Sequence, residues 1–332
     1  MKKHGNISVF VPHIGCPNRC SFCNQYIVTG NVKAPEPEDI DAAIADASKK
    51  ENYNPSVTEL AFFGGSFTAI DKLYMERLLK AGYEHILKGE ICGIRISTRP
   101  DAIDEEILGT LKRYGVTAIE LGCQSMSDRV LNLNYRGHNS HDVEAACKLI
   151  KNGGFELGLQ MMTGLYGSTL EDEIFTAKKI VRINPATVRI YPTLVLKKTY
   201  LEKLYLSGEY RPQTVDEAVD LTVKLIGIFE NNGIMVIRTG LHTVDADGFV
   251  AGPWHPAFGE LCAGKIMLDK VIYIIKKQKI KKGKITVLVP NGSLSKMVGQ
   301  RKRNVEILRK MGYNCNICEY DSNEISVVSV LD

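Results

Sequence analysis

The sequence has 332 residues, of which 44% are hydrophobic, and its formal net charge is +4. This content suffices for the core of one large domain with an appendage, whereas no uninterrupted apolar run is long enough to cross a membrane. The start, "MKKHGNISVF", has no apolar run of signal-peptide length. We therefore expect a soluble, cytoplasmic protein without membrane association.

In chain order, short β-rich runs alternate with longer segments of helical periodicity. The predicted strands are 7–11, 58–63, 93–98, 117–122, 156–162, 187–192 and 233–241, and the predicted helices between them are 36–50, 71–86, 104–115, 142–154, 171–184 and 214–233. Parallel neighbours in a sheet need a crossover helix, so this alternation predicts an α/β fold with a parallel sheet. The fold that fits best is a partial (β/α)6 barrel of the TIM type.

After residue 264 the pattern and the charge both change. We expect a partial barrel over 1–264 and a small C-terminal α/β appendage over 265–332. Residues 265 to 312 hold fourteen Lys or Arg and two acids, which gives +12, whereas residues 1 to 264 and 313 to 332 each carry −4. A lysine face exposed to water and an RNA footprint both fit this basic segment. Because Tyr273 is its only aromatic residue, base stacking is not expected there.

Polar motifs follow the predicted strands directly. The stretches "GGSFT", "STRPD", "GCQS", "GLYG" and "YPTL" each come at a strand end. In α/β barrels the chemistry lies at the carboxyl ends of the strands. We therefore expect the functional site at that edge of the sheet.

Three of the nine cysteines, Cys16, Cys20 and Cys23, lie within the ten residues "CPNRCSFCNQ". An odd cysteine count in a reducing compartment argues against a disulfide framework. Iron–sulfur clusters prefer thiolate ligands, and a set of three leaves one iron open to a substrate or cofactor. The alternative is a structural zinc site completed by His13 or His4. The later pair, Cys315 and Cys318, is interpreted as structural.

The loop "CPNRCSFCNQ" resembles the cluster loop of radical S-adenosylmethionine (SAM) enzymes, in which an aromatic residue, here Phe22, precedes the last cysteine. "FFGGSFT" (62–68) resembles the glycine-rich turn that binds the methionine amino group in that family. "STRPD", "LGCQS", "GLYG", "RIYPTLV" and "GPWHPAFGEL" resemble the radical core of the catalytic subunit of Elongator and its stand-alone relatives. This chain departs from Elongator in its short spacing between the first two cysteines and in its small basic appendage, so acetyl transfer is not implied.

The resemblance implies a 4Fe–4S cluster on Cys16, Cys20 and Cys23, with S-adenosylmethionine beside it. The predicted cofactor-binding residues are Phe22, Gly64, Gly65, Ser66, Thr68, Ser97, Arg99, Gln124 and Tyr191. For Arg99, a salt bridge with Asp101 is an equally good interpretation.

The predicted substrate-binding residues come from strand interiors and from the loop "GPWHPAFGEL". They are Asp101, Glu120, Gln160, Arg189, Arg238, Trp254, His255, Phe258 and Glu260. For Glu120 the alternative is a salt bridge inside the barrel with Arg95 or Arg189, because a carboxylate inside a strand is rarely buried without a partner. For the loop, the alternative is packing between barrel and appendage.

The resemblance predicts an enzyme that cleaves S-adenosylmethionine reductively and abstracts hydrogen from a substrate, with electrons from a donor of the flavodoxin or ferredoxin type. The sharpest hypothesis for the substrate is a free modified purine, with queuine lyase chemistry in deazapurine salvage. The alternative is modification of tRNA. A hypothesis of another class is a non-catalytic, zinc-binding RNA module.

Overall fold

The structure, a computed structural model, describes residues 5–11, 20–24, 27, 33–241, 244 and 246–329. Its first nine strands are β1 (Gly5–Val11), β2 (Thr58–Gly64), β3 (Gly93–Thr98), β4 (Val116–Gln124), β5 (Glu156–Thr163), β6 (Thr187–Pro192), β7 (Val195–Leu196), β8 (Met235–Thr239) and β9 (Phe249–Ala251). Seven of these form one parallel sheet in the order β1-β2-β3-β4-β5-β6-β8. The short strands β7 and β9 pair with each other in antiparallel fashion.

The predicted parallel partial barrel is confirmed. Each of the seven predicted strands forms, and the sheet therefore has seven strands rather than six. The additional one is β8, which pairs with β6 from Thr187 opposite Met235 to Ile190 opposite Thr239 and forms an edge of the sheet.

Helices α1 (Pro37–Ser48), α2 (Lys72–Leu87), α3 (Glu105–Arg113), α4 (Asp128–Leu133), α5 (Ser140–Asn152), α6 (Leu170–Ile183), α7 (Tyr200–Leu206) and α8 (Val215–Glu230) lie between these strands. Several begin at reciprocal side-chain caps, such as Thr169 with Asp172 at α6 and Thr214 with Glu217 at α8. Such capping boxes satisfy amide groups that the first helical turn leaves free. These caps define the residues at which α6 and α8 begin.

The main core lies between the sheet and these helices. Every residue of β3 is buried, and Leu60 and Phe62 of β2 are fully buried. Strands covered on one face by helices and on the other by the barrel interior read as nearly continuous apolar runs. Charged side chains buried inside these strands, such as Glu120 and Arg189, are therefore exceptions.

A second, smaller sheet follows. Its elements are α9 (Phe258–Lys277), β10 (Gly283–Pro290), α10 (Leu294–Val298), α11 (Arg303–Lys310), β11 (Tyr313–Tyr320) and β12 (Ser326–Ser329). The strand order is β11-β10-β12, with β10 parallel to β11 and antiparallel to β12. Alternate residues of β10, namely Ile285, Val287 and Val289, are buried under the helices and form a second core.

Helix α9 belongs to both cores. Phe258 and Cys262 in its first turns pack in the main core, whereas Val271 and Ile275 pack in the second. The predicted division between residues 264 and 265 falls inside this helix and stays a prediction. No helix in the described part of the chain is long and apolar enough to cross a bilayer.

Cys315 and Cys318 lie on opposite faces of β11, because they are three residues apart on a strand. Cys315 packs against the second core, and Cys318 accepts a hydrogen bond from Asn316 on the outer face. The two thiols therefore do not point toward a common metal ion.

Candidate functional site

The described part of the cysteine loop is fixed by hydrogen bonds to two distant segments. The backbone amide of Ser21 donates to the carbonyl of Asn134 (3.1 Å), and the Ser21 hydroxyl donates to Asn134 Oδ1 (2.6 Å). The amide of Leu201 donates to the Ser21 carbonyl (2.8 Å). Cys20 is buried here, and the amide of Cys23 donates to its carbonyl (3.1 Å). Both cysteines thus lie against segments that follow β4 and β6. Cys16, His13 and His4 lie outside the described residues.

Phe22 between these cysteines packs in an apolar cluster with Leu201, Tyr166 and Val250. Its ring therefore attaches the loop to α7 and β9. The contact with the cofactor that the sequence predicts for Phe22 stays a prediction.

Arg136 is a site residue that sequence reasoning missed. Its Nη1 donates to Cys20 Sγ (3.2 Å), and its Nη2 donates to the carbonyl of Gly122 at the end of β4 (2.8 Å). A guanidinium in this position would stabilise a negative charge on the Cys20 thiolate. The only signal in the sequence is the polar stretch "NYRGH" after α4, which has no spacing pattern.

The glycine-rich turn after β2 has the backbone that its sequence predicts. Gly64 has a φ of 111°, and a Cβ at this position would lie 2.3 Å from the ring of Phe10. The amide of Gly65 donates to the carbonyl of Val11 (3.0 Å), which ties the turn to the strand that leads into the cysteine loop. Only glycine fits at residue 64, and the turn leaves its backbone accessible beside the loop.

Beyond this turn, the hydroxyl of Thr68 is hydrogen-bonded within the protein. Ser66 is buried, and Thr68 Oγ1 lies 2.6 Å from Thr98 Oγ1 and donates to the carbonyl of Ala102 (2.6 Å). Thr68 therefore connects the ends of β2 and β3. Its predicted contact with a cofactor stays a prediction.

A buried charge cluster fills the interior of the sheet. Arg189 Nη2 donates to Glu120 Oε1 (2.8 Å), and its Nε lies 2.5 Å from Glu120 Oε2. Gln160 Nε2 donates to Glu120 Oε2 (3.1 Å) and to Ser97 Oγ (3.3 Å). Gly158 makes room for this carboxylate, because a Cβ there would lie 2.8 Å from Glu120 Cγ. The structure thus brings together residues of β3, β4, β5 and β6 that the sequence predicted for the site.

Arg95 extends the cluster toward the amino ends of the strands. Its Nε donates to Glu59 Oε2 and its Nη2 to Glu156 Oε1, both at 2.8 Å, while its Nη1 lies 3.6 Å from Glu120 Oε1. Burial by itself lowers the pKa of Arg95, but the three carboxylates outweigh it and raise the pKa. Burial and Glu120 have the same opposing effects on Arg189, whose pKa is also raised. Both predicted salt bridges of Glu120 are therefore present.

Aromatic side chains flank the same cluster. The guanidinium of Arg189 lies 4.9 Å from the ring centroid of Phe63. Tyr191, two residues further along β6, is half-buried. Arg238 pairs in register with Arg189 on the neighbouring strand β8 and is also half-buried.

At the end of β4, three buried polar atoms have no hydrogen-bond partner among the described residues. They are Gln124 Oε1, Arg136 Nε and His138 Nδ1. Gln124 has a φ of 63° at a bulge between β4 and β5. Burial and the nearby Arg136 lower the pKa of His138 to about 4, so this imidazole is neutral at pH 7. Unsatisfied buried polar groups are costly, and a group of them beside Cys20 indicates a binding site for a polar molecule.

Arg99 and Asp101, at the end of β3, form the salt bridge that was the alternative interpretation. Arg99 Nε donates to Asp101 Oδ1 (2.9 Å), and the side chains of Arg99 and Asp101 are 11% and 27% exposed. This ion pair lies directly after Thr98, at the carboxyl end of β3. The binding roles predicted for both residues stay predictions.

The structure separates the four residues predicted from "GPWHPAFGEL". Trp254 packs on Phe249 with ring centroids 5.9 Å apart, and its Nε1 is another buried donor without a partner among the described residues. His255 Nδ1 accepts from the amide of Ala257 (3.1 Å). Phe258 is buried in the main core, and Glu260 is exposed on α9 along an outer groove. Phe258 packs against Gly240, the residue that follows β8. The binding roles predicted for these four residues stay predictions.

The fold and the site together define an α/β partial-barrel protein with a cysteine loop and unsatisfied polar groups at the carboxyl edge of its sheet. The model of the Radical SAM superfamily matches residues 10–180, and the model of the Radical_SAM C-terminal domain matches residues 185–267. The chain belongs to the radical SAM superfamily and is a radical SAM enzyme. Membership implies S-adenosylmethionine and a 4Fe–4S cluster as cofactors, together with a reductant.

Similar proteins include an uncharacterized protein of Methanocaldococcus jannaschii, 28% identical over 85% of this chain and 82% of that protein. The tRNA uridine(34) acetyltransferase of Methanocaldococcus infernus is 30% identical over 52% of this chain and 36% of its own length. The structure of the Methanocaldococcus infernus Elp3 with its N-terminus (1–46) deleted matches with a TM-score of 0.62 at 24% identity, over 84% of this chain and 64% of that one. This chain thus spans about a third to a half of the acetyltransferases that it matches.

Proposed function

We propose that this radical SAM enzyme modifies a base carried by tRNA. The observation that carries the proposal is a group of buried polar atoms at the end of β4 without partners among the described residues, namely Gln124 Oε1, Arg136 Nε and His138 Nδ1. The guanidinium of Arg136 also donates to Cys20 Sγ. Such a group is suited to a polar ligand held next to a metal-bound thiolate. Gln124 is one of the residues that the sequence predicts for cofactor binding, whereas Arg136 and His138 are not.

The residues present fit the cofactors of the superfamily. Cys20 and Cys23, with Cys16, would hold the cluster, and Arg136 would balance the charge of the first of these thiolates. When bound, the reduced cluster and S-adenosylmethionine supply a radical that abstracts hydrogen from a substrate, with electrons from a flavodoxin- or ferredoxin-type donor. The backbone at Gly64 would accept the methionine moiety, since this residue is exposed at the end of β2.

The interior charge cluster would hold the substrate side of the site rigid. Glu120 is almost completely buried between Arg189 and Gln160, so its carboxylate has no free position for a guanine-type edge. A further polar contact with a substrate would come from Tyr191 or Arg238, which are half-buried on β6 and β8. Trp254 and Phe249 would form an apolar wall that excludes water from this end of the barrel.

Two features support tRNA as the substrate. The relatives with assigned names include tRNA uridine(34) acetyltransferases, and the segment 265 to 312 carries +12. Phosphate contacts dominate the affinity of proteins for nucleic acids.

Free queuine is the second candidate substrate. It is favoured by the restriction of the match to about 36% of the length of the acetyltransferase of Methanocaldococcus infernus. A lyase acting on queuine would need a carboxylate for its guanine-type edge. Two of the candidate carboxylates are in salt bridges, Glu120 with Arg189 and Asp101 with Arg99. The third, Glu260, is exposed on helix α9.

The test is anaerobic reconstitution with iron and sulfide, followed by reduction with S-adenosylmethionine in the presence of total tRNA, of queuine or of neither. We expect 5′-deoxyadenosine to rise with tRNA and a modified nucleoside to appear after digestion. A rise with queuine alone, with a shortened deazapurine product, would instead establish the lyase.

Matched cysteine variants separate cluster chemistry from general damage. Cys20→Ala should abolish both the iron–sulfur absorbance and 5′-deoxyadenosine, whereas Cys92→Ala, at an exposed cysteine, should retain them. Zinc in place of iron, with RNA binding but no cleavage of S-adenosylmethionine, would support the non-catalytic module.

A further inference from the structure

The C-terminal unit contains a strand-helix-turn-helix-strand arrangement whose turn has a distinctive sequence. Strand β10 leads through α10 into the four residues "GQRK" at 299–302, and α11 leads on to β11, the parallel neighbour of β10. KH modules hold RNA with a Gly-x-x-Gly loop that contacts the backbone of four nucleotides. Here Gly299 begins the turn, and Lys302 stands where the second glycine of such a loop would be.

The backbone of the turn compensates for the missing glycine. Lys302 has a φ of 61° and Arg301 a φ of 50°, and both lie in the left-handed region that glycine adopts most easily. Gly299 has a φ of 72°. The turn therefore has a glycine-type backbone but carries two cations in place of small side chains.

Buried contacts fix the orientation of the turn. The side chain of Asn304 is buried, and its Nδ2 donates to the carbonyl of Gly264 in α9 (2.9 Å) and to that of Lys296 in α10 (3.4 Å). A Cβ on Gly299 would lie 3.0 Å from Asn304 Cγ. The turn is thus packed down on α9 and α10, which leaves Arg301 and Lys302 exposed on its outer side.

The charge of the turn is complementary to a phosphate backbone. Lys296, Arg301 and Lys302 are all exposed, and the salt bridges found in the described part of the chain do not include them. The nearby carboxylate of Asp216 is paired with Arg303 (2.6 Å). Three cations are therefore presented together toward solvent.

This surface lies on the same side of the molecule as the carboxyl ends of the barrel strands. Helix α8 connects the parallel strands β6 and β8, so it runs opposite to them and begins at the carboxyl edge. Asp216 is in the first turn of α8, and its contact with Arg303 places the turn 299–302 beside that edge.

The geometry points to a single-stranded RNA site on the turn 299–302, where Arg301 and Lys302 contact phosphates. It rests on the proposed function, because the turn would hold the tRNA whose base enters the barrel. The backbone of the turn would approach the RNA closely, as the Gly-x-x-Gly loop does. The outer sheet face carries Thr286, Asn314 and Asn316, and the aromatic side chain of Tyr320 lies on the same face at the end of β11.

The test compares two charge-matched double variants of the full chain. R301D/K302D reverses the turn, and aspartate tolerates the left-handed backbone better than most residues. K281D/K282D makes the same change of charge at the other end of β10, where both lysines are exposed. Binding of a fluorescein-labelled, eight-nucleotide single-stranded RNA and of a tRNA transcript is measured by fluorescence anisotropy from 50 to 300 mM salt.

We expect R301D/K302D to weaken RNA binding about tenfold or more and K281D/K282D to weaken it less than about threefold. Loss of two phosphate contacts should make the slope of log K against log salt less steep by about 1.4. Thermal unfolding controls for the fold, and R301N, which suits a left-handed φ, provides a milder second variant. Equal losses in both double variants would overturn the proposal, as would wild-type protein that binds vesicles of anionic lipid but not RNA.

Separate measurements of binding and of 5′-deoxyadenosine distinguish a failure of this RNA site from a failure of the proposed function. Binding needs neither cluster nor S-adenosylmethionine, so tRNA that binds through the turn without stimulating 5′-deoxyadenosine would refute the proposed function alone. Stimulation by tRNA that survives R301D/K302D unchanged, with unchanged binding, would refute the RNA site alone.

Discussion

Replacing Glu120 by glutamine should destabilise the protein strongly, because it leaves the guanidinium of Arg189 buried without a carboxylate. Glu120 is 1% exposed and Arg189 is 5% exposed. Among the described residues, Glu120 is the only carboxylate in a salt bridge with Arg189, at an Nε to Oε2 distance of 2.5 Å. Removing one partner of a buried ion pair costs about 3 to 5 kcal/mol of unfolding free energy.

The reverse substitution should cost less. Arg189→Met leaves Glu120 with Arg95 at 3.6 Å and with the amide of Gln160 at 3.1 Å, so we expect a loss of about 1 to 3 kcal/mol. The double variant E120Q/R189M should lose less than the sum, with a coupling energy of about 1 to 3 kcal/mol. Glu156→Gln is the control, because that carboxylate also binds Arg95 at 2.8 Å but its side chain is 44% exposed, and it should cost at most about 1 kcal/mol.

The assay is equilibrium unfolding in urea of the four proteins and the control, with the slope compared to confirm that the unfolding reaction is the same. A loss below about 1 kcal/mol for Glu120→Gln, or strict additivity in the double variant, would refute the view that this pair is dry and mutually dependent. Similar losses for Glu120→Gln and Glu156→Gln would show that exposure does not set the strength of these interactions.

Three further substitutions test separate parts of the structure. Burial raises the pKa of Glu173 to about 7, so the free energy of unfolding of the wild type should fall by about 3 kcal/mol as pH rises from about 4.5 through 7. Glu173→Gln should therefore raise Tm more at pH 8 than at pH 5. An equal gain at both pH values would contradict this. Arg136→Met should speed the loss of iron to a chelator about tenfold or more, with partial rescue by lysine, while Arg129→Met on the exposed face of α4 should have no such effect. Gly64→Ala should cost about 2 kcal/mol or more in urea unfolding, whereas Gly109→Ala, in open space on α3, should be neutral or slightly stabilising.

Strand positions and the interior ion pairs could be predicted from the sequence because each depends on local signals. β-rich runs bounded by turn residues located all seven strands of the sheet. A carboxylate buried inside a strand needs a cationic partner. Strands β3 and β6 flank β4 and β5, and each contains one basic residue, Arg95 and Arg189 respectively.

The contact between Arg136 and Cys20 could not be predicted. Arg136 reaches Cys20 over 116 residues, and no periodicity or spacing connects the two. Phe258 and Glu260 were grouped with Trp254 because all three belong to one polar and aromatic stretch. The start of α9 at residue 258 decides their directions, and that helix has no side-chain cap that would have marked its beginning.

The same edge of the sheet carries the two features that most need a partner. At the end of β4, Gln124, Arg136 and His138 each bury a polar atom that the described protein leaves unsatisfied, and each such group costs about 1 to 3 kcal/mol unless a ligand or water satisfies it. Beyond α8, Arg301 and Lys302 hold left-handed backbones, which cost about 1 to 2 kcal/mol per residue. Both arrangements reduce the stability of the free protein; a bound polar ligand would satisfy the atoms of the first, and phosphate contacts would add to a turn whose backbone is already in place in the second. A small polar molecule in the first position and an RNA backbone in the second would therefore place a base from that RNA at the mouth of the barrel.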